Sequence, residues 1–167
     1  MGRIASCCLI LGLLGTSLAA EAQPTQGALE VRADLSTIVF TRVGEATFGP
    51  GDVLPQRLAL SAGWYFSDTL SGYLTLGFGW LAHPSGYDAT SLGTTWHVAF
   101  ARPFFLRFGG LATLESFAIK VFGGVGLQLP QDAMGRFSVT LDLAEITFGE
   151  GGVGYSVGVV LGGSYAF

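Results

Sequence analysis

Hydrophobic residues recur at every second position along most of this chain. In Leu70-Ser71-Gly72-Tyr73-Leu74-Thr75-Leu76-Gly77-Phe78-Gly79-Trp80 the even positions hold Leu, Gly, Leu, Leu, Phe and Trp, and the odd ones Ser, Tyr, Thr, Gly and Gly. Residues 58 to 66 repeat the pattern, with Leu58, Leu60, Ala62, Trp64 and Phe66 opposed to Ala59, Ser61, Gly63 and Tyr65. Successive side chains of an extended strand point to opposite faces, so each segment predicts a strand with one greasy and one small or polar face. Ser67-Asp68-Thr69, between them, has the composition of a tight turn.

Extending the alternation predicts eight strands, over 28–41, 56–66, 70–81, 93–101, 104–114, 117–129, 136–147 and 153–167. Ser67-Asp68-Thr69, Arg102-Pro103 and Pro130 to Gly135 read as turns. Val43 to Pro55 and Ala82 to Leu92 read as longer loops, and the links near Ser116 and Gly151 as short ones. An even number of strands, each long enough to cross a bilayer when tilted, suits a single-chain membrane barrel. Closure leaves no unpaired backbone edge in lipid. The expected fold is all-β, an eight-stranded antiparallel up-and-down transmembrane β-barrel.

Composition points the same way. Half the residues are hydrophobic and 12% are charged, against roughly 25% charged in an ordinary soluble domain. No apolar run reaches the roughly 18 to 20 residues of a membrane helix. The N-terminus reads as a secretory signal over residues 1–22, leaving a barrel domain over 23–167. Arg3 supplies the positive region, Leu9 to Leu14 begins a short apolar stretch, and Ala20-Glu21-Ala22 gives the cleavage pattern before Gln23. A lipoprotein site at Cys7 is disfavoured, because the apolar segment follows that residue instead of preceding it. Cys7 and Cys8 are the only cysteines, so the chain from Gln23 has no thiolate chemistry. Losing Arg3 and Glu21 keeps the net charge at −4, which gives nucleic acid no purchase.

A membrane barrel should carry aromatic residues at both rims of its outer face. With the three turns on one side, Trp64, Phe66, Phe104, Phe137, Tyr165 and Phe167 fall near that side. Phe78, Trp80, Trp96, Phe117 and Tyr155 are assigned to the opposite rim. Aliphatic residues such as Leu60, Leu76, Leu106, Val125, Leu141 and Leu161 lie between. Glu30, Arg32, Asp34, Arg107, Glu115, Lys120 and Asp142 share the inward parity, as does His97. Glu30, Arg32, Asp34, Arg107 and Asp142 form the candidate luminal charge network, because charges out of bulk water must pair. Arg107 is expected to reach Asp142, Asp34 or Glu30. Glu145 breaks the parity, and a bulge or an early strand end is the expected remedy.

The chain ends in Gly162-Gly163-Ser164-Tyr165-Ala166-Phe167. It resembles the C-terminal signature of outer-membrane proteins, in which a glycine, an aromatic and a terminal Phe are spaced as Gly162, Tyr165 and Phe167. Val160 departs from that signature's upstream polar position. Size, strand count and the Trp64 to Phe78 hairpin resemble small OmpA-like and OmpX-like barrels. The resemblance implies a bacterial outer-membrane location, contact with outer-membrane lipid and handling by the barrel-assembly machinery.

The remaining chemistry is sparse. His97 has no second His or carboxylate in strand register and reads as a hydrogen-bonded interior residue instead of a metal ligand or base. His83-Pro84-Ser85-Gly86 resembles the His-x-Ser arrangement of outer-membrane lipid A deacylases, but the Asn that follows in that family is absent. Gly77-Phe78-Gly79 and Gly124-Val125-Gly126 lie inside strands and precede no helix, so they are not phosphate loops. The expectation is a porin-like barrel with no cofactor, no metal and no catalytic group, in a membrane-structural or surface-interaction role with a plugged polar lumen. A narrow channel or small-ligand conduit is the alternative, and an acyl hydrolase a remote one.

Overall fold

The computed structural model describes residues 26–43, 45–48, 55–81, 89–114, 117–129, 136–149 and 152–167. The segment 1–22, the His83–Gly86 motif, Glu115 and the Pro130–Gly135 turn lie outside these residues. Nine strands follow in chain order: β1 (Leu29–Val43), β2 (Ala46–Phe48), β3 (Pro55–Tyr65), β4 (Leu70–Leu81), β5 (Ala89–Ala101), β6 (Phe104–Thr113), β7 (Ile119–Gln128), β8 (Arg136–Gly149) and β9 (Gly152–Ala166). All pair antiparallel with their neighbours, and β9 returns to pair with β1 from Glu30↔Ala166 to Val43↔Gly154. Eight strands therefore close a barrel. The ninth, β2, lies within the stretch expected to be loop and pairs with Thr41–Val43 at the upper end of β1.

The ring is staggered. Following paired residues from Arg32 through Ser61, Thr75, Gly93, Leu111, Lys120, Thr147 and Gly154 arrives back on β1 at Val43, not at Arg32. Such a stagger requires tilted strands, and it sets the height of every side chain. Both chain termini of the barrel lie at the end carrying the 66–69 and 102–103 turns. The observed strands outrun the alternation at the opposite end, where β1 continues to Val43, β5 starts at Ala89 and β8 runs to Gly149. The hydrophobic period fades there, but a neighbouring strand still offers backbone partners.

Burial is inverted relative to a water-soluble barrel. Outward Leu74 is 61% exposed, while inward Glu30 and Asp34 are 1% and 3% exposed. Leu60, Leu106, Leu141 and Leu161 also face outward. Tyr73, Phe105, Leu111 and Phe122 fill the interior together with charged and hydroxyl side chains.

Three register shifts correct the parity along the wall. They fall between Ile38 and Phe40 on β1, Ala99 and Ala101 on β5, and Asp142 and Glu145 on β8. Each extra residue reverses which face the following residues take. In β8 the shift turns Glu145 into the lumen. The phenol of Tyr155 donates a hydrogen bond of 2.7 Å to the Leu143 carbonyl beside that bulge.

Candidate functional site: the charged lumen

The lower lumen, nearest the turns, is built from β1, β3, β4 and β8. The Tyr73 hydroxyl donates to Glu30 Oε2 at 2.8 Å and lies 2.9 Å from Ser71 Oγ. Arg136 Nη1 donates to the Tyr65 hydroxyl at 3.0 Å, with its guanidinium 5.9 Å from the Tyr65 ring centroid. Glu30 is thus held by a phenol, and the phenol's own body fills the barrel beside it.

Above this tier, Arg32 and Asp34 sit two residues apart on the same face of β1. Arg32 Nε donates to both Asp34 oxygens, at 2.8 and 3.0 Å. Its Nη2 donates over β9 to Ser138 Oγ on β8. Gly162 makes the space, since a Cβ there would collide with Arg32 Nη2, Asp34 Oδ1 and Ser138 Oγ. Around the other half of the same level, Thr75 Oγ1 lies 3.0 Å from Ser61 Oγ and 2.9 Å from Thr95 Oγ1. That hydroxyl ladder crosses three strands, and Thr75, its middle member, is 1% exposed.

Two further ion pairs lie in the lumen, the first beside His97, the cross-strand partner of Arg107. Arg107 Nη1 donates to Asp142 Oδ2 at 2.6 Å. Gly124 is the paired residue between them, opposite Arg107 on one side and Asp142 on the other. Lacking a side chain, it lets the guanidinium reach over β7, where it also lies 4.4 Å from the Phe122 ring centroid. Arg57 makes a two-pronged contact with Glu145, at 2.9 and 3.0 Å, and Lys120 Nζ stands 4.0 Å from Glu145 Oε1. Parallel N–H donors matched to two carboxylate oxygens give an orientation a lone ammonium lacks.

These contacts divide the five expected network residues into separate units. Arg32 pairs with Asp34, Arg107 pairs with Asp142, and Glu30 belongs to the tyrosine tier. No hydrogen bond described above joins the Arg32–Asp34 pair to the Arg107–Asp142 pair. Arg57, Arg136 and Glu145 were not among the expected site residues. Arg57 and Arg136 share inward parity with Ala59 and Ser138, but each sits at a strand end where the alternation is only beginning. His97 is buried between Tyr73 and Phe105, with ring centroids at 5.0 and 4.8 Å.

On the outer wall, Trp64, Phe66, Phe104, Phe137 and Tyr165 lie toward the turn end, and Tyr155 toward the loop end. The placement of Trp96 at the loop end is wrong. Trp96 pairs beside Gly72 and Phe108 and stacks on Phe66 at 5.6 Å and 21°, so it belongs to the turn-side aromatic cluster with Trp64. The cause is the length and stagger of β5, which starts at Ala89 and carries Trp96 past the midpoint toward the turn. The Trp80 side chain lies outside the described residues. At the seam, Tyr165 is paired opposite Val31, the Phe167 amide donates to the Leu29 carbonyl at 2.8 Å, and the Tyr165 and Phe167 rings meet edge-on at 5.0 Å. Gly162 serves the lumen as described above.

No protein-family model matches the sequence, and no curated protein matches it. Among solved structures, the chain is similar to one described as "De novo design of transmembrane beta-barrels", at 11% identity and a TM-score of 0.47, over 86% of this chain and 100% of that one. The architecture rests on the strand pairing itself.

Proposed function

We propose that this chain is a small outer-membrane β-barrel, delivered with a cleaved signal over residues 1–22, that serves as a rigid membrane-spanning scaffold presenting loops for surface interaction. The observation that carries the reading is the inverted wall: a continuous surface of exposed Leu, Val and aromatic side chains around an interior of paired charges. In water such a wall would be a large unprotected apolar surface, far beyond the patches soluble monomers expose. In lipid it is the required exterior. The aromatic residues at the turn end then sit at headgroup depth, where their amphipathic rings are favoured.

The packed middle layer supports a structural role over a conducting one. Four ion-paired or phenol-held acidic groups, the Ser61–Thr75–Thr95 ladder and the aromatic fillers occupy the lumen with bonded side chains. The terminal Gly162, Tyr165 and Phe167 pattern supports handling by the barrel-assembly machinery, and Ala20-Glu21-Ala22 supports export with a mature start at Gln23. The lipid A hydrolase alternative draws no support from the described residues.

Reconstitution tests the reading. Refolded protein should enter lipid vesicles, shift its gel migration on boiling as closed barrels do, and give no steady ionic current in a planar bilayer. A chain that stays folded and monodisperse in detergent-free buffer would refute the membrane assignment. A steady single-channel conductance from the intact barrel would refute the scaffold assignment and favour a conduit. N-terminal sequencing of the membrane-resident protein should begin at or within a few residues of Gln23.

A further inference from the structure

Among the described residues, the charges inside the wall do not balance, and the excess sits at the loop end. Arg32 is matched by Asp34, Arg107 by Asp142, and Arg136 shares the tyrosine tier with Glu30. Arg57, Lys120 and Glu145 remain, two cations to one carboxylate. Arg57 reaches from β3 to β8, past two intervening strands, and takes both Glu145 oxygens. Lys120 Nζ stands 4.0 Å from Glu145 Oε1, an ion-pair separation too long for a hydrogen bond. This carboxylate therefore leaves the three N–H donors of the ammonium unfilled. A charge held out of bulk water without a matched counter-charge is costly.

The strand ends bring further donors to this cation. Lys120 is the second residue of β7, Thr113 the last of β6, and Thr147 the third from the end of β8, all at the loop side. Thr147 is the cross-strand partner of Lys120 and shares its inward face. On β6 the partner is Leu111, with Thr113 one inward step nearer the loops. Thr113 is 4% exposed, and its hydroxyl has no hydrogen-bond partner among the described residues. A buried hydroxyl is rarely left in that state. The Lys120 side chain is 20% exposed, against 14% for Arg57 and 9% for Glu145, so it is the charged member most open to an entering ligand.

We infer that the loop-end lumen binds a small phosphate-like oxyanion between the Lys120 ammonium and the Thr113 and Thr147 hydroxyls. The chemistry selects the class. A planar carboxylate is best matched by a guanidinium fork, and Glu145 already occupies that of Arg57. Lys120 is a point charge with donors that rotate, the kind of group that holds phosphate. Its neighbours on β6 and β8 approach from two other directions, which suits a tetrahedral ligand with an oxygen for each. Binding removes the excess positive charge and gives the Thr113 hydroxyl a partner. The inference goes beyond the scaffold reading and does not depend on it, since it requires only the folded barrel.

Lys120 is the one lysine of the chain, so isotope-labelled lysine gives a single side-chain signal by nuclear magnetic resonance. In full-length protein folded in phosphate-free detergent micelles, inorganic phosphate should shift the Lys120 Cε signal saturably, with ionic strength held constant by chloride. Thr113→Val should weaken phosphate about tenfold, the loss expected of one hydrogen bond to a charged group. Wild-type protein should also broaden the phosphorus resonance of phosphate; Lys120→Met should abolish that broadening and Lys120→Arg should retain it. Folding of each variant is checked by heat-shifted migration. If Lys120→Met does not fold, the wild-type titration and Thr113→Val decide. A phosphate response no larger than that of chloride, or one that never saturates, would overturn the inference. Unchanged affinity in Thr113→Val would overturn the placement of the anion. A Lys120 signal that ignores phosphate but moves on Glu115→Gln would show that the chain supplies its own counter-charge, and would equally overturn it. A shift with phosphatidylglycerol and none with phosphate would assign the contact to a lipid headgroup at the rim, against a luminal site.

Discussion

Separating Arg107 from Asp142 is the sharpest perturbation the lumen offers. Both side chains are more than nine-tenths buried, the contact is 2.6 Å, and Gly124 leaves no neighbour on β7 that could substitute for either partner. Arg107→Met keeps the aliphatic length against Phe122 but strands the carboxylate. Removing one member of a buried pair costs on the order of 3 to 5 kcal/mol, because the remaining charge is left uncompensated. Asp142→Asn strands the guanidinium instead, and a loss of about the same order follows. The double variant carries no buried charge at this position. Replacing a whole buried pair with neutral groups is often close to neutral, so it should recover most of the loss. With two single losses of about 3 kcal/mol or more and a double variant close to neutral, the coupling measured by the cycle should be about 4 kcal/mol or more, above the roughly 0.5–3 kcal/mol usual for contacting residues. The assay is reversible urea unfolding of protein refolded in lipid vesicles, followed by tryptophan fluorescence. Single losses under about 1 kcal/mol that simply add in the double variant, as exposed pairs do, would refute the claim that this pair is desolvated and coupled.

Other expectations follow from the same geometry. Leu76→Arg on the outer wall should cost on the order of 2 to 4 kcal/mol in vesicles, as a cation near the bilayer midplane does; equal stability to wild type would show that Leu76 does not meet hydrocarbon. Gly162→Ala should lower stability by about 1 to 3 kcal/mol through overpacking, and the loss should shrink when Ser138→Gly removes one of the three atoms it strikes. Deleting Phe167 should reduce outer-membrane levels far more than Glu150→Gln, and equal levels for the two variants would remove the role proposed for the terminal residues.

The strands themselves were legible because barrel walls obey a period of two throughout. Leu74, Thr75 and Leu76 declare their faces without any tertiary information. What alternation cannot carry is phase across a bulge. Glu145 faces the lumen because one extra residue at Leu143–Ala144 reverses the pattern, and nothing in Asp142-Leu143-Ala144-Glu145 announces that shift beyond the misplaced charge. Height is equally hidden. The level of Trp96 depends on the stagger accumulated around all eight strands, a global quantity that no single strand encodes. The separation of the luminal charges into pairs was also out of reach, since it depends on which side chains the glycines at 124 and 162 let pass. Arg57 and Arg136 were lost to a simpler cause, the weak pattern at strand ends.

The seam between β1 and β9 joins residues separated by almost the whole described chain. Every other backbone pairing around the wall, among the described residues, joins strands that follow one another in the chain, with only the short β2 lying between β1 and β3. The seam pays its loop-closure entropy only once the intervening strands have assembled, because a long chain segment must be confined to bring its ends together. Until that moment the sheet is an open ribbon with two unpaired edges, one ending near Leu29 and the other at Phe167. Such edges are templates for pairing with other chains. The protein is thus exposed to misassociation for as long as its first and last strands remain apart, and its kinetic fate turns on whatever shields the β9 edge before β1 arrives.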